Sequence, residues 1–161
     1  MVTIEVTVNN EKYTSDIEDN LSLYDYLKKI HINSIKSACY QGDCGICTVL
    51  VDDIVVKSCL SLAAEFSGSK IYTIEGLIDD PTMKVLFKAF EKAGAVQCGY
   101  CSPAFLIRAY SLLKSSIIPL ENISPKQIVE SINGILCRCT GYKQIIEGIH
   151  EACIILSKVD H

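Results

Sequence analysis

The sequence predicts an α+β chain with a β-rich N-terminal unit over residues 1–76 and a helical C-terminal unit over residues 77–161. Three observations carry that division. Val2, Ile4, Val6 and Val8 alternate with Thr3, Glu5 and Thr7, the period-two pattern of a strand with one buried face. Past residues 76–81, three prolines each follow a capping residue (Asp80-Pro81, Ser102-Pro103 and Ser124-Pro125), which is a helix-start signal. Formal charge shifts too, from 6 basic and 11 acidic side chains over 1–76 to 9 and 8 over 77–161.

In order along the chain, Asn9-Asn10 marks a turn after the first strand, and Lys12 to Ile17 reads as its returning partner. Asn20 or Ser22 is placed to cap a helix with an apolar face of Leu23, Leu27 and Ile30 and with Tyr24 and Tyr26 on its flanks. Cys47 to Val51 is β-rich, Asp52-Asp53 is a turn, and Ile54 to Val56 continues the hairpin. Ile71 to Ile74 reads as a short last strand ending at Gly76. The helical faces that follow are Leu86, Phe90 and Ala93, then Leu106, Ala109 and Leu113, then Ile128 and Ile132. A fourth helix is expected from Thr140-Gly141, burying Ile145, Ile149, Ala152, Cys153 and Leu156. Four short helices suggest a small bundle. The two halves share no internal repeat.

Of 161 residues 49% are apolar, enough for a packed core. The net charge of −4 and pI of about 5.3 argue against a nucleic-acid binder, which needs a basic face. No apolar run has the length of a membrane span, and Met1-Val2-Thr3-Ile4-Glu5 lacks the basic and apolar regions of an export signal. The expected compartment is therefore the reducing cytoplasm. There, nine cysteines point to metal or redox chemistry rather than to a disulfide framework.

Eight of those cysteines form two quartets. Cys39, Cys44, Cys47 and Cys59 read C-x4-C-x2-C with a fourth cysteine after eleven residues, the plant-type ferredoxin pattern for a [2Fe–2S] centre. Gly42 and Gly45 lie among the first three, where backbone N–H groups must turn toward cluster sulfur and the loop must wrap closely. Structural zinc is the alternative, but zinc sites usually pair short knuckles from two places rather than take three ligands from one loop. Cys98, Cys101, Cys137 and Cys139 form the second set, C-x2-C and C-x-C. Each pair precedes an expected helix, whose N-terminal partial charge favours thiolates. Taken alone, these pairs are open to thiol redox, zinc or iron–sulfur chemistry; beside the first quartet, iron–sulfur leads.

Three segments carry a family resemblance over nearly the whole chain. They are Cys39-x-x-Gly42-Asp43-Cys44-Gly45-x-Cys47-Thr48-Val49, Gln97-Cys98-Gly99-Tyr100-Cys101-Ser102-Pro103 and Leu136-Cys137-Arg138-Cys139-Thr140-Gly141-Tyr142. In this order they resemble the small [2Fe–2S] subunit of the molybdenum hydroxylases, the xanthine dehydrogenase, aldehyde oxidoreductase and carbon monoxide dehydrogenase family. The resemblance implies a β-grasp plant-type ferredoxin domain holding the first cluster and a four-helix-bundle domain holding the second. It implies two partners: a large subunit carrying molybdopterin and a medium subunit carrying FAD. Electrons would pass from molybdenum to the helical-domain cluster, then to the ferredoxin-type cluster and the flavin. By position, Gln97 and Cys139 would contact the partner's molybdopterin. Gln41, Ala104 and Ile135 depart from residues common in the family (Glu, Gly and Asn), and none removes a ligand.

Other residues have plainer readings. Cys153, on the apolar face of the last helix, reads as a buried small hydrophobe. Arg138 could tune the second cluster or form a structural ion pair. Tyr100 could shield that cluster or pack between the domains, and Tyr40 reads as a surface loop residue. Thr48 and Ser58 could hydrogen-bond cluster sulfur. His31, His150 and His161 share no metal-like spacing. No nucleophile, general base or phosphate loop is visible, so substrate chemistry is not expected on this chain. The leading function is an electron-transfer subunit of a multi-subunit oxidoreductase; the alternative is a free-standing two-cluster ferredoxin.

Overall fold

The computed structural model describes residues 1–158; His161 lies outside them. Strands β1 (Val2–Val8) and β2 (Glu11–Ile17) pair antiparallel through a turn in which Asn9 and Asn10 both take positive φ, the conformation that matches strand twist in two-residue hairpins. Asp52 and Asp53 do the same between β3 (Thr48–Val51) and β4 (Ile54–Lys57). The last strand, β5 (Lys70–Tyr72), lies parallel to β1 and antiparallel to β3. The resulting mixed sheet has the order β2-β1-β5-β3-β4.

Helix α1 (Leu23–Lys29) packs on one face of this sheet, and Ser22 rather than Asn20 caps it by accepting from the Asp25 N–H. Tyr24 and Tyr26 are buried rather than flanking, because the core around Ile4, Val6, Val49 and Ile71 closes over them. Strand β3 is buried along its whole length. Val49 and Val51 join the α1 core, while Leu50 points the other way into the core of the helical half. A strand buried on both faces means that the helices are stacked directly on the sheet.

Those helices are α3 (Pro81–Lys92), α4 (Ser102–Ser115), α5 (Pro125–Ile132) and α6 (Lys143–Ser157), preceded by a single turn, α2 (Ile74–Leu77). Leu86, Phe90, Phe105, Ile107, Ile128, Ile145 and Ile149 fill the space between them. Cys153 is buried there as expected, and burial pushes its thiol up to about 11. None of the described helices is long and apolar enough to cross a membrane.

Three expected boundaries move. The last strand stops at Tyr72 because the Asn9 carboxamide takes the Thr73 N–H and hydroxyl out of the ladder, so Ile74 enters α2. Ser102 is the first helical residue and not the cap; Cys101 holds the cap position, since the Cys98–Cys101 turn runs straight into α4. Helix α6 starts at Lys143 rather than Thr140, whose hydroxyl is taken by the Cys137 sulfur and the Tyr142 N–H.

Asp80 and Ser124 cap as the sequence indicates. Ser124 forms a capping box with Gln127. Asp80 accepts from the Thr82 and Met83 N–H groups and from the Tyr110 hydroxyl, with Lys114 at 3.5 Å. Burial alone would raise its carboxyl, but these donors hold it below the usual carboxylate value. Its stabilisation is therefore present above the unfolded carboxylate pKa and lost as pH falls through the folded one. Asp80→Ala should cost about 1–3 kcal/mol at pH 7, read as a lower urea midpoint with unchanged slope. That deficit should shrink as the pH is lowered toward the folded value of Asp80.

Candidate metal centres

Cys39, Cys44 and Cys47 of the first quartet sit on a loop that leaves α1, curls, and enters β3. Tyr40, Gly42 and Gly45 all have positive φ, which turns successive N–H groups to the inside. The Cys44 and Gln41 N–H groups donate toward Cys39 Sγ at 3.3 and 3.5 Å. With the Asp43 N–H they lower the Cys39 pKa to about 7, so the thiolate form is favoured where a metal ligand needs it. Cys59 arrives on a 3-10 turn after β4 and packs against the sheet core that holds Cys47. Burial pushes Cys59 up to about 11, against a lowering contribution from the Gly42 N–H.

The four thiols straddle the two cores. Cys44 lies in the core of the helical half with Cys39 packed against it, whereas Cys47 lies in the sheet core with Cys59 packed against it. Thr48 and Ser58 do not donate to sulfur. Their hydroxyls donate to the carbonyls of Gly45 (2.6 Å) and Cys47 (2.8 Å), which ties the ligand loop to the hairpin behind it.

The second quartet converges from two turns far apart in sequence. Cys98 Sγ and Cys139 Sγ are 3.5 Å apart, and Cys101 and Cys137 line the same cavity. The Tyr100 N–H, then Cys139, lower the Cys98 pKa. Burial pushes Cys101 up to about 12. For Cys137, burial acts upward, but the Thr140 hydroxyl (3.1 Å) and N–H (3.4 Å) outweigh it and bring the thiol down. Tyr142 closes the turn by accepting the Cys137 N–H on its hydroxyl oxygen at 3.1 Å.

Cys98 and Cys139 are exposed, as is Gln97 beside them, while Cys101 is buried. A cavity of about 270 Å³ is lined by all four of these cysteines and by Cys44 of the first set. Arg138 lies on its rim and, among the described residues, forms no ion pair, so its charge is open to the cavity rather than spent in a structural bridge.

The two sites are held together by backbone. The Leu136 N–H donates to the Cys44 carbonyl at 2.9 Å, and the Tyr100 hydroxyl donates to the Ser37 carbonyl at 2.9 Å. Tyr100 thus packs between the halves with its hydroxyl spent on the first ligand loop. Tyr40 is exposed and meets Tyr24 edge-on. Ile135 is buried at the seam, where a polar side chain would need a partner. Motif spacing did not disclose the roles of Thr140 and Tyr142, because each acts through a contact within a turn.

The donor set fits two-iron clusters. Among the described residues no three or more His, Cys, Asp or Glu side chains converge as a single tetrahedral zinc would require. Cys98 and Cys139 meet sulfur to sulfur, while Cys44 and Cys39 lie at the helical core and Cys47 and Cys59 at the sheet core. Two thiolates at each iron is what a [2Fe–2S] centre takes.

Comparison with known proteins agrees. Residues 6–70 match the 2Fe-2S iron-sulfur cluster binding domain, and residues 73–150 match a second family, the [2Fe-2S] binding domain. The chain is 38% identical to the nicotine 6-hydroxylase small subunit of Paenarthrobacter nicotinovorans, covering 94% of this chain and 89% of that one. It is 36% identical to the xanthine dehydrogenase iron-sulfur-binding subunit of Escherichia coli O157:H7, covering 92% of each. It superposes on a chain of quinoline 2-oxidoreductase from Pseudomonas putida 86 with a TM-score of 0.85 and 34% identity, covering 98% and 96%.

The seam between the halves makes a sharp prediction. A Cβ on Gly45, at φ +65°, would lie 2.2 Å from the Gly134 carbonyl oxygen, and backbone cannot swing aside as a side chain can. Gly45→Ala should cost about 2–4 kcal/mol and lower the iron bound per chain. Gly68 also has positive φ but has open space around it, so Gly68→Ala should cost only about 1 kcal/mol and leave the iron content alone. Urea unfolding and iron analysis of the two variants check this.

Proposed function

The chain belongs to the small [2Fe–2S] iron–sulfur subunits of the molybdenum hydroxylases, and we propose that Cys39, Cys44, Cys47 and Cys59 hold one cluster and Cys98, Cys101, Cys137 and Cys139 the other. Each cluster, when bound, takes up and gives up one electron at a time. The division of the thiols between the two cores supports Cys39 with Cys44 as one pair of ligands and Cys47 with Cys59 as the other. The N–H groups around Cys39 and Cys137 stabilise negative charge on sulfur, and the surrounding apolar side chains limit water at the buried thiols. Residues 1–76 would serve the first site and residues 77–161 the second.

Our reading is that this chain works in the cytoplasm between a large molybdopterin-binding subunit and a medium FAD-binding subunit. Electrons would enter at the second set and leave at the first. One observation carries this direction: Cys98 and Cys139 open to the surface, with Gln97 beside them and exposed Val96, Tyr100 and Leu136 around them. An apolar rim round an electron-transfer site is a surface for a partner to cover. Gln97 and Cys139 are then the residues that meet the partner's pterin. Exposed Tyr40, Leu60 and Leu62 near the first set offer a second such surface toward the flavin subunit. A free-standing ferredoxin would instead depend on charge to steer its encounters, and the net charge here is only −4. Substrate choice would belong to the large subunit.

Purification from the native source tests the assembly: we expect co-elution with a molybdenum- and a flavin-containing chain. A lone monomer exchanging electrons freely would overturn it. Metal analysis should return roughly four iron and four sulfide per chain, and stoichiometric zinc without visible absorption would contradict the ligand assignment. Within the complex, Cys139→Ser should slow reoxidation of molybdenum far more than Cys59→Ser does. Equal slowing in both would reverse the proposed order.

A further inference from the structure

We propose that Lys57 sets the electron affinity of the first centre, its ammonium held on the Gly42 carbonyl inside the loop that joins Cys39 to Cys44. The inference rests on the reading of Cys39, Cys44, Cys47 and Cys59 as cluster ligands. Lys57 Nζ donates to the Gly42 carbonyl at 2.7 Å in a partly buried contact. Gly42 lies between Cys39 and Cys44, and the N–H groups that flank its peptide, at Gln41 and Cys44, donate toward Cys39 Sγ at 3.5 and 3.3 Å. An ammonium in a partly buried contact with this turn is screened less by solvent than a surface charge, so it is felt at the sulfur the turn surrounds.

The same carbonyl carries no competing tie to a carboxylate through Lys57. Among the described residues Lys57 forms no ion pair, so its charge is not cancelled locally. Two neighbours fix its side chain, the Gly42 carbonyl and the turn at Gly134. Lys57 ends β4 two residues before Cys59, and its Nζ lies 3.7 Å from where a Cβ on Gly134 would sit. Leu60, one residue beyond Cys59, packs over Gly42 so closely that a Cβ there would overlap it. The segment 57–60 therefore clamps the Gly42 turn by its carbonyl and by its Cα together.

Reduction adds one electron and makes the centre more negative by one charge, with no bond made or broken. The donor is the partner that the oxidoreductase complex supplies. A fixed positive charge beside the Cys39–Cys44 turn favours that reduced state, and hydrogen bonds and charge near sulfur are established levers on cluster potential. The second quartet lies beyond the Gly134 turn and has its own donors, so Lys57 should act on the first centre selectively.

The test is a redox titration of the purified complex followed by electron paramagnetic resonance, with iron content measured on each variant. Lys57→Met should lower the reduced-to-oxidised ratio of one centre about three- to tenfold at fixed potential, about 30–60 mV at 59 mV per tenfold. The other centre should stay put, iron should remain roughly four per chain, and Lys57→Arg should restore the ratio. Leu60→Ala, which loosens the same turn without removing charge, should leave it unchanged. An unmoved midpoint, an equal shift in both centres, or failure of Lys57→Arg to rescue would overturn the proposal. If Lys57→Met loses iron, Lys57→Gln repeats the comparison with a neutral donor, and iron loss there too would make Lys57 a folding residue and overturn it. Absence of any cluster signal in the unsubstituted complex would instead refute the ligand assignment.

Discussion

The closest constraint in the molecule is the approach of two backbones, the first ligand loop at Cys44–Gly45 and the turn at Gly134–Leu136. One hydrogen bond of 2.9 Å and a glycine with no room for a side chain hold them together. Because the Cys137–Cys139 turn follows directly, this contact sets how the two thiol quartets lie relative to each other. Strand β3 is buried on both faces because the helices stack on it, so that Leu50 serves the helical core while its neighbours serve the sheet. Electron transfer between sites requires proximity without mobility, and main-chain contacts supply that better than side chains can.

A second constraint is charge. Eight thiolates with their clusters would place much negative charge in surroundings made mainly of Ile, Leu, Val and Phe, which is costly unless donors face it. The chain answers with N–H groups rather than with carboxylate-paired cations. Left-handed residues in the first loop aim amides at Cys39, and Thr140 supplies both hydroxyl and amide to Cys137. The solution differs between the sites: the first is mostly enclosed, while the second leaves Cys98 and Cys139 at the surface. That asymmetry matches a chain that works within an assembly, as its relatives named as subunits do.

Much of the architecture was legible residue by residue. Alternation in Val2–Val8, paired Asn and Asp turns, and Asp80 and Ser124 before proline located strands, hairpins and helix starts, because these signals are local. The misplaced boundaries share one cause. Asn9 ends β5 from more than sixty residues away, the Cys98–Cys101 turn runs into α4, and Thr140 is held by the Cys137 sulfur instead of capping α6. In each, a long-range or ligand-turn contact overrode a local preference. Thr48 and Ser58 missed sulfur for a similar reason: a nearby carbonyl was the better acceptor.

By itself the sequence determined the two-unit plan, the eight thiols in two sets of four and their iron–sulfur character, since ligand spacing and helix and strand periodicity are written in neighbouring residues. Only the tertiary structure decided that Cys98 meets Cys139 and that Cys44 reaches the cavity of the second quartet. It alone turned Cys98 and Cys139 outward and Cys47 inward, and brought Lys57 to the Gly42 carbonyl. Those outcomes depend on how a sheet and a helical bundle press together. No local pattern records that geometry, because it is set by packing between residues that lie up to about a hundred positions apart along the chain.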